Sequence, residues 1–536
     1  MAEDRNILIG VDAGTSVIKA VAFDTAGRQL AMSSMPNRYQ EGHDGSAVQP
    51  MARTWEDCAT ALRRLGDKID GLAGRTIALA VTGQGDGTWL VDEDNQPVAD
   101  AWIWLDARAA PTVRRLARSP GERSRFEATG TGLNACQQGV QLAHIEENQP
   151  ELLDRASVAL HCKDWIYLKL TGERATDPSE ASFTFGNFRT RQYDDSVIEG
   201  LGLRSRRYLL PPILDGSSTT HKLSPQAARQ TGLIPGTPVS LGYVDMALTG
   251  LGSGVHTGEL SVAASTIGST GVHMRAVRPE QVFLNDEGTG YVIALPVPGL
   301  VTQVQTNMAA SLNVDWLLNV VDDVASALGN TVSRGELVAR MEDWLVGTEP
   351  GAVLYHPYIS AGERGPFVDP DARAGFIGLS SAHRFPDLLR AVVEGLALAA
   401  RDCYRAMGDM PEEVRLTGGA ARSEVLRSIF AAALGVPVRI CRREETGAAG
   451  AAMMAAVATG VYATMDESIA AWVKPLLGAR EDPDPTLIEP YDRLYAAYLD
   501  ARQALPPVWA RLAENRRMRQ TGAAVGAIGM VSRGNG

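Results

Sequence analysis

Runs and alternations of apolar positions divide the chain into elements. Ile7, Leu8, Ile9 and Val11 form an aliphatic, β-branched run that predicts a buried strand, ended by Asp12 and a Gly14-Thr15-Ser16 turn. Val17, Lys19, Val21 and Phe23 then alternate with Ile18, Ala20 and Ala22, which predicts a second strand. The turn at residues 24–27 leads to a third strand over 28–33. Helical spacing over 51–72, with Thr54 as N-cap ahead of Glu56 and Asp57, predicts a scaffold helix. Residues 77–81 read as a short buried strand that delivers Thr82-Gly83-Gln84-Gly85-Asp86-Gly87 at its end. A further amphipathic helix is expected at 161–173, closed by Gly172. A strand at 239–243 is followed by Asp245 and a helix starting at Met246.

The second half echoes the first. Residues 260–264 are again an apolar strand, followed by the hydroxyl-and-glycine turn Ser265-Thr266-Ile267-Gly268-Ser269-Thr270-Gly271. Residues 414–416 predict a strand that ends in Thr417-Gly418-Gly419-Ala420-Ala421-Arg422-Ser423 and opens a helix over 424–434. Glycines at such a place let a flat base lie against the backbone while the helix N-terminus faces phosphate. The Ala- and Gly-rich run 444–452 reads as packing.

Length sets the number of domains: 536 residues exceed one ordinary core, so two domains of about 200–250 residues are expected. The 51 basic and 63 acidic residues leave a net charge of −12, which argues against a nucleic-acid-binding surface. Five scattered cysteines without Cys-x-x-Cys spacing predict neither a disulfide framework nor a zinc site and fit a reducing cytoplasm. The polar N-terminus runs directly into a strand, leaving no room for a signal peptide. The apolar run 448–465 is too rich in Ala and Gly for a bilayer span, so no membrane partner is expected. Residues 484–514 are helical in pattern, and the basic, Gly-rich tail 516–536 is expected to be disordered.

Several of these patterns carry chemistry. A carboxylate, Asp12, beside a glycine and two hydroxyls would repel bare phosphate and so needs a divalent cation between them; an ordinary hairpin turn is the bland alternative. Gln84 and Asp86, presented from a glycine-rich strand end, are placed to grip hydroxyls, or only to make a turn. In Trp102-Ile103-Trp104-Leu105-Asp106-Ala107-Arg108, an indole such as that of Trp104 could stack on a polyol. A Trp-anchored core strand ending in an Asp-Arg ion pair explains the same residues equally well.

Two motifs resemble the FGGY family of carbohydrate kinases. One is the Lys163-Asp164-Trp165 helix running to Leu170-Thr171-Gly172-Glu173, then Thr176-Asp177 and small residues. The other is the segment 374–394, with Gly378-Leu379, Asp387-Leu388, Ala391-Val392-Val393 and Glu394. The first phosphate turn is similar to that of the wider sugar-kinase, hexokinase and actin superfamily. The resemblance covers about residues 6–500. It implies an α/β chain of two ribonuclease H-like (actin/hexokinase-like) domains with a cleft between them. Residues 1–254 would bind substrate, residues 255–480 would bind nucleotide, and 481–515 would form a helical segment.

The same resemblance implies ATP and Mg²⁺ as cofactors and a small polyol or sugar as partner; a homo-oligomer is compatible with it. Asp245, in a Gly-x-x-Asp segment, would be the catalytic base. Asp12, through water in the family's arrangement, and Asp245 would hold the metal. Gly14, Thr15, Ser16, Lys19, Gly268 and Ser269 would line the phosphate path, and Gly418, Gly419, Ala420 and Ser423 would contact the nucleotide. Gln84, Asp86, Trp104 and Asp245 would bind the acceptor. Glycerol-specific members carry an Arg-Glu pair after the glutamine and xylulose-specific members a Met-His pair, whereas this chain has Gly85-Asp86. Gly85 would leave space for another carbon, so the expected acceptor is a short open-chain polyol, erythritol first, with L-xylulose, xylulose or glycerol as alternatives. A Rossmann dehydrogenase, which would need a Gly-x-Gly-x-x-Gly after the first strand, and a catalytically silent polyol sensor are the other classes weighed.

Overall fold

The computed structural model describes residues 5–360 and 362–531. By compactness it divides into two units. The first comprises Met1–Ala264, Met274–Val304 and Ile440–Ala479, and the second Ser265–His273, Gln305–Arg439 and Arg480–Gly536. This partition differs from a single break near residues 250–260, because two later segments pack back onto the first unit.

Its six-stranded sheet has the order Thr220–Lys222, Pro238–Leu241, Thr76–Gly83, Ile7–Ala13, Val17–Asp24, Gln29–Pro36. The first three strands in sequence form an antiparallel meander, with Asp12 opposite Lys19. Thr76–Gly83 then joins Ile7–Ala13 in parallel, and Pro238–Leu241 joins Thr76–Gly83 in parallel. Three neighbouring strands therefore run the same way and end on one edge, where open α/β sheets bind ligands. Ile7, Ile9, Val11, Leu79, Val81 and Leu241 are buried against helices Met51–Gly66 and Cys162–Thr171. The expected Thr54 cap is corrected: the helix starts after Pro50, and the Thr54 hydroxyl donates to Asn37 Oδ1 instead (3.1 Å).

Helix Thr446–Ala458 explains the Ala- and Gly-rich run. It lies so close to the sheet that a Cβ on Gly10 would come 1.9 Å from the Ala448 carbonyl oxygen. Likewise, a Cβ on Gly252 would come 2.3 Å from the Thr446 carbonyl oxygen, and one on Gly450 2.5 Å from that of Leu248. Small residues are needed on both sides of this contact, which holds strand Ile7–Ala13 and helix Asp245–Gly252 together.

A second six-stranded sheet has the order Tyr291–Ala294, Val301–Asn307, Gly271–Val277, Val262–Ile267, Glu413–Thr417, Val438–Ile440. It carries the repeat expected from the sequence, a strand, a turn and a strand, at Val262–Ile267 and Gly271–Val277. In the second unit, helix Phe385–Arg405 places Glu394 in the interior. There its carboxylate accepts from Arg390 Nε (2.7 Å), Tyr491 OH (2.7 Å) and Gly351 N (3.1 Å), an anchoring role. Of the tail expected to be disordered, residues 516–531 belong to helix Pro506–Val531, a stretch with no proline beyond its first turn. Residues 532–536 lie outside the described residues. Among the described residues no helix is long and apolar enough to cross a membrane.

The close contact at Gly10 is testable. Gly10→Ala should lower the unfolding free energy by at least about 2 kcal/mol in urea denaturation, because the added methyl meets backbone that cannot rotate away. An unchanged midpoint would contradict the packing described.

Candidate active site

The shared edge of the three parallel strands brings together Asp12, the Gln84–Asp86 segment and Asp245. Asp12 is the next-to-last residue of Ile7–Ala13, and Asp245 opens helix Asp245–Gly252 just after Pro238–Leu241. Asp86 follows Thr76–Gly83 in a left-handed backbone conformation (φ 56°), which is costly for a residue with a Cβ. Burial dominates the electrostatics. It pushes the Asp12 carboxyl up to about 6, a rise opposed by Lys19 and reinforced by Glu445. It pushes Asp86 up to about 6 against hydrogen bonds from Cys136 and Tyr291. Asp245 is pushed up to about 8, first by burial and then by the negative charges of Asp12 and Asp86.

These acids fit a divalent cation at Asp12 and Asp245. The Asp12 charge disfavours ionisation of Asp245, and a cation between phosphate and carboxylate would relieve it. Among the described residues no group of three or more His, Cys, Asp or Glu side chains could by itself hold a metal, so any such ion would need ligands from water or phosphate.

Thr15 is the knot of a polar chain. Its hydroxyl donates to Gln84 Oε1 (3.2 Å) and accepts from the Trp104 indole N–H (2.6 Å). Gln84 Nε2 donates to Gln49 Oε1 (2.7 Å), and Gln49 Nε2 donates to the Thr15 carbonyl (3.2 Å). Asn37 Nδ2 donates to the Gly14 carbonyl (2.8 Å), and the Asn37 N–H to the Ser16 carbonyl (2.8 Å). Gln84 and Trp104, expected at the acceptor, thus brace the Gly14–Ser16 turn. Asp106 and Arg108 form the expected ion pair (2.6 Å), with the guanidinium over the Trp102 ring.

Lys19 pairs with Glu445 (2.8 Å), and a Cβ on Gly447 would lie 2.6 Å from Asp12 Oδ2. The run 444–452, read as packing, therefore also frames the carboxylate; a separation of 426 residues hides this in the sequence. Gly85 brings a second correction. A Cβ there would come 2.4 Å from Val244 Cγ2, so the space left by a missing side chain is filled by Val244 rather than held open.

A buried charge network lies behind this edge. Lys163 Nζ contacts Asp164 Oδ1 (2.6 Å) and Asp177 Oδ2 (2.5 Å). Burial opposes the lysine's charge, but Asp164, Asp177 and Glu180 outweigh it and hold its pKa above the ordinary value. The Asp177 carboxylate caps helix Pro178–Phe185 by accepting from Ser179 N (2.8 Å), and Ser179 Oγ accepts from Val244 N (3.0 Å). The network thereby reaches the residue before Asp245. Its motif, the Lys-Asp helix with the Thr-Asp loop, was visible in the sequence; its position behind the acids was not.

In the second unit, Gly418 has φ 97° and a Cβ on it would come 2.3 Å from the Ile267 carbonyl oxygen, which joins the strand-end glycine to the turn holding Gly268 and Ser269. The carbonyls of Gly268 and Ser269 accept from Ser311 N (2.9 Å) and Ala310 N (2.7 Å). A Cβ on Gly419 would meet nothing within 4 Å, so this surface is open to a flat ligand. Ala420 begins a 3-10 turn ending at Arg422, and the Ser423 hydroxyl caps helix Glu424–Leu434 by accepting from Leu426 N (3.3 Å).

Strand-end acids beside a braced glycine-hydroxyl turn, on repeated sheets of this order, define a sugar-kinase type of protein. The chain belongs to the FGGY family of carbohydrate kinases: residues 7–252 match the family's N-terminal domain and residues 263–459 its C-terminal domain. It is 64% identical over 517 residues to a protein of Brucella abortus (strain 2308) named erythritol kinase, covering 96% of this chain and 99% of that protein. It is 26% identical to the L-xylulose/3-keto-L-gulonate kinase of Escherichia coli (strain K12), covering 95% and 99%. The fold is similar to that of gluconate kinase from Lactobacillus acidophilus, with a TM-score of 0.84 at 21% identity, covering 94% of this chain and 99% of that one. The two-domain α/β fold of the actin/hexokinase-like kind is thus established, and the dehydrogenase alternative falls with it.

Raised carboxyl pKa values make stability depend on pH in a defined direction. The folded protein binds these protons more tightly than the unfolded chain, whose aspartates titrate near about 4, so the contribution is present at low pH and lost as pH rises through 6 to 8. Urea denaturation should therefore show Asp245→Asn gaining stability relative to the wild type between pH 4 and pH 8. Parallel pH curves for the two would contradict the enclosure of Asp245.

Proposed function

We propose that this protein transfers the γ-phosphoryl group of ATP to a terminal hydroxyl of erythritol, giving erythritol 4-phosphate, in the cytoplasm. The chemistry rests on one observation, the enclosure of Asp245 beside Asp12 and Asp86 at adjacent strand ends. The choice of acceptor rests on the 64% relationship to the protein named erythritol kinase.

ATP supplies the phosphoryl group, and Mg²⁺ neutralises its oxygens. Asp12, through water, and Asp245 would hold the metal. Gly14, Thr15, Ser16, Lys19, Gly268 and Ser269 border the phosphates. Gly418, Gly419, Ala420 and Ser423 receive the nucleoside, with Ser423 acting by fixing the helix start. Residues 1–254 serve the acceptor and 255–480 the nucleotide.

Asp245 orients the acceptor hydroxyl and takes its proton as the new P–O bond forms and the bond to the leaving ADP oxygen breaks. A loose transition state asks little of a base before that moment, so placement matters more than basicity. A cation held beside it would favour the ionised, proton-accepting form of a group that stands at about 8 in the protein alone. Asp86, with its Oδ1 buried and without a hydrogen-bond partner, offers an acceptor to a polyol hydroxyl. Gln84 and Trp104 act on the acceptor through Thr15, whose position they fix.

Asp245→Asn should lower kcat by roughly a hundredfold or more while ATP affinity stays nearly intact. In coupled ADP-release assays, erythritol should exceed glycerol, D-xylulose and L-xylulose in kcat/KM, and Asp86→Ala should lose much of that preference. A xylulose outperforming every tetritol would remove erythritol and leave the kinase standing. Near-normal turnover of Asp245→Asn would remove the base.

A further inference from the structure

Beside Gly85 and Asp86 the first unit buries a set of polar atoms of which the proposed chemistry uses only Asp86 Oδ1. Glu180 is fully buried in the first turn of helix Pro178–Phe185, and neither of its carboxyl oxygens has a hydrogen-bond partner. His161 Nε2 and Asp86 Oδ1 are likewise buried and without one. They lie close together: Glu180 Oε2 is 3.4 Å from His161 Nε2, and Glu180 Oε1 is 3.4 Å from where a Gly85 side chain would begin. Gly85 itself is half-buried.

An unpaired buried polar atom ordinarily costs on the order of 1–3 kcal/mol, and folded proteins seldom tolerate several in one place. The group is also held rigid. His161 Nδ1 bonds Asp164 Oδ2 (3.1 Å), and the His161 N–H donates to the same oxygen (3.1 Å). Lys163 clamps Asp164 and Asp177 together, and Asp177 caps the helix that carries Glu180.

Resting on the polyol-kinase reading above, we propose that Glu180, with His161 beside it, is a specificity-determining residue that bonds a polyol hydroxyl remote from the one phosphorylated. Burial, reinforced by Asp177, Asp86 and Asp164 against Lys163, holds the Glu180 carboxyl well above the usual range. A hydroxyl both donates and accepts and so can bond Glu180 or His161, whereas a ketose carbonyl only accepts and cannot satisfy their acceptor atoms. This asymmetry separates a tetritol from a xylulose, and glycerol lacks the additional hydroxyl altogether.

The test uses the full-length enzyme with Glu180→Gln, which keeps the shape, and Glu180→Leu, which removes all polarity. Initial rates are measured with erythritol, glycerol and D-xylulose, and melting temperatures with and without erythritol. Glu180→Gln should raise the KM for erythritol about tenfold or more and leave the KM for ATP within about twofold. The erythritol-to-glycerol ratio of kcat/KM should fall by a similar factor, and added erythritol should raise the melting temperature of the wild type but not of the variant. Glu180→Leu should lose at least as much selectivity. An unchanged ratio in Glu180→Gln, with only a lower melting temperature, overturns the proposal and leaves Glu180 a structural acid around trapped water. Wild-type preference for a ketose overturns both this and the acceptor assignment, and shows without any variant.

Discussion

Acidic side chains do not share a dry site unless the backbone forces them to, and here three parallel strands do so. Ile7–Ala13, Thr76–Gly83 and Pro238–Leu241 are neighbours with a common direction, so whatever follows their last residues arrives on one edge. That edge receives Asp12, Asp86 and Asp245, each opposed by burial and, for Asp245, by the other two. The arrangement is expensive for the protein alone and suited to a ligand that brings positive charge and hydroxyl groups.

What holds the edge in place is distributed around it. Helix Thr446–Ala458 uses glycine and alanine to lie against strand Ile7–Ala13 and against the helix that Asp245 opens. Asn37 and Gln49 fix the main chain of the Gly14–Ser16 turn, while Gln84 and Trp104 fix the Thr15 hydroxyl. On the other side, Lys163 compensates Asp164 and Asp177, and through Ser179 ties that network to Val244. Breaking one partner of such a buried set leaves an uncompensated charge, which is why its effects extend beyond the groups in contact.

Much of this was legible in the sequence, for local reasons. β-branched runs ending in Asp12 and Asp245, and glycines at 418 and 419, report strand ends and turns through short-range rules of backbone geometry. The motifs at 163–177 and 374–394 carried the family. What stayed hidden depends on long-range contact. Nothing near Lys19 names Glu445, and nothing near Gly10 names Ala448. An amide at 84 and an indole at 104 suggest ligand contact as readily as the bracing that the fold gives them. At Gly85 the missing side chain implied open space until Val244 was seen to occupy it. The Thr54 cap failed because the preceding proline already starts the helix, freeing the hydroxyl for Asn37.

Asp245 is an enclosed carboxyl whose charge is opposed by its neighbours, an opposition that magnesium and nucleotide are proposed to relieve. Carbon-detected NMR titration of the labelled aspartate carboxyls, assigned with Asp245→Asn, reads this directly. The account predicts that Asp245 titrates near about 8 in the protein alone and moves down by at least about one unit when magnesium and a non-hydrolysable ATP analogue are added. Titration near about 4 in both states, the ordinary aspartate value, would contradict it.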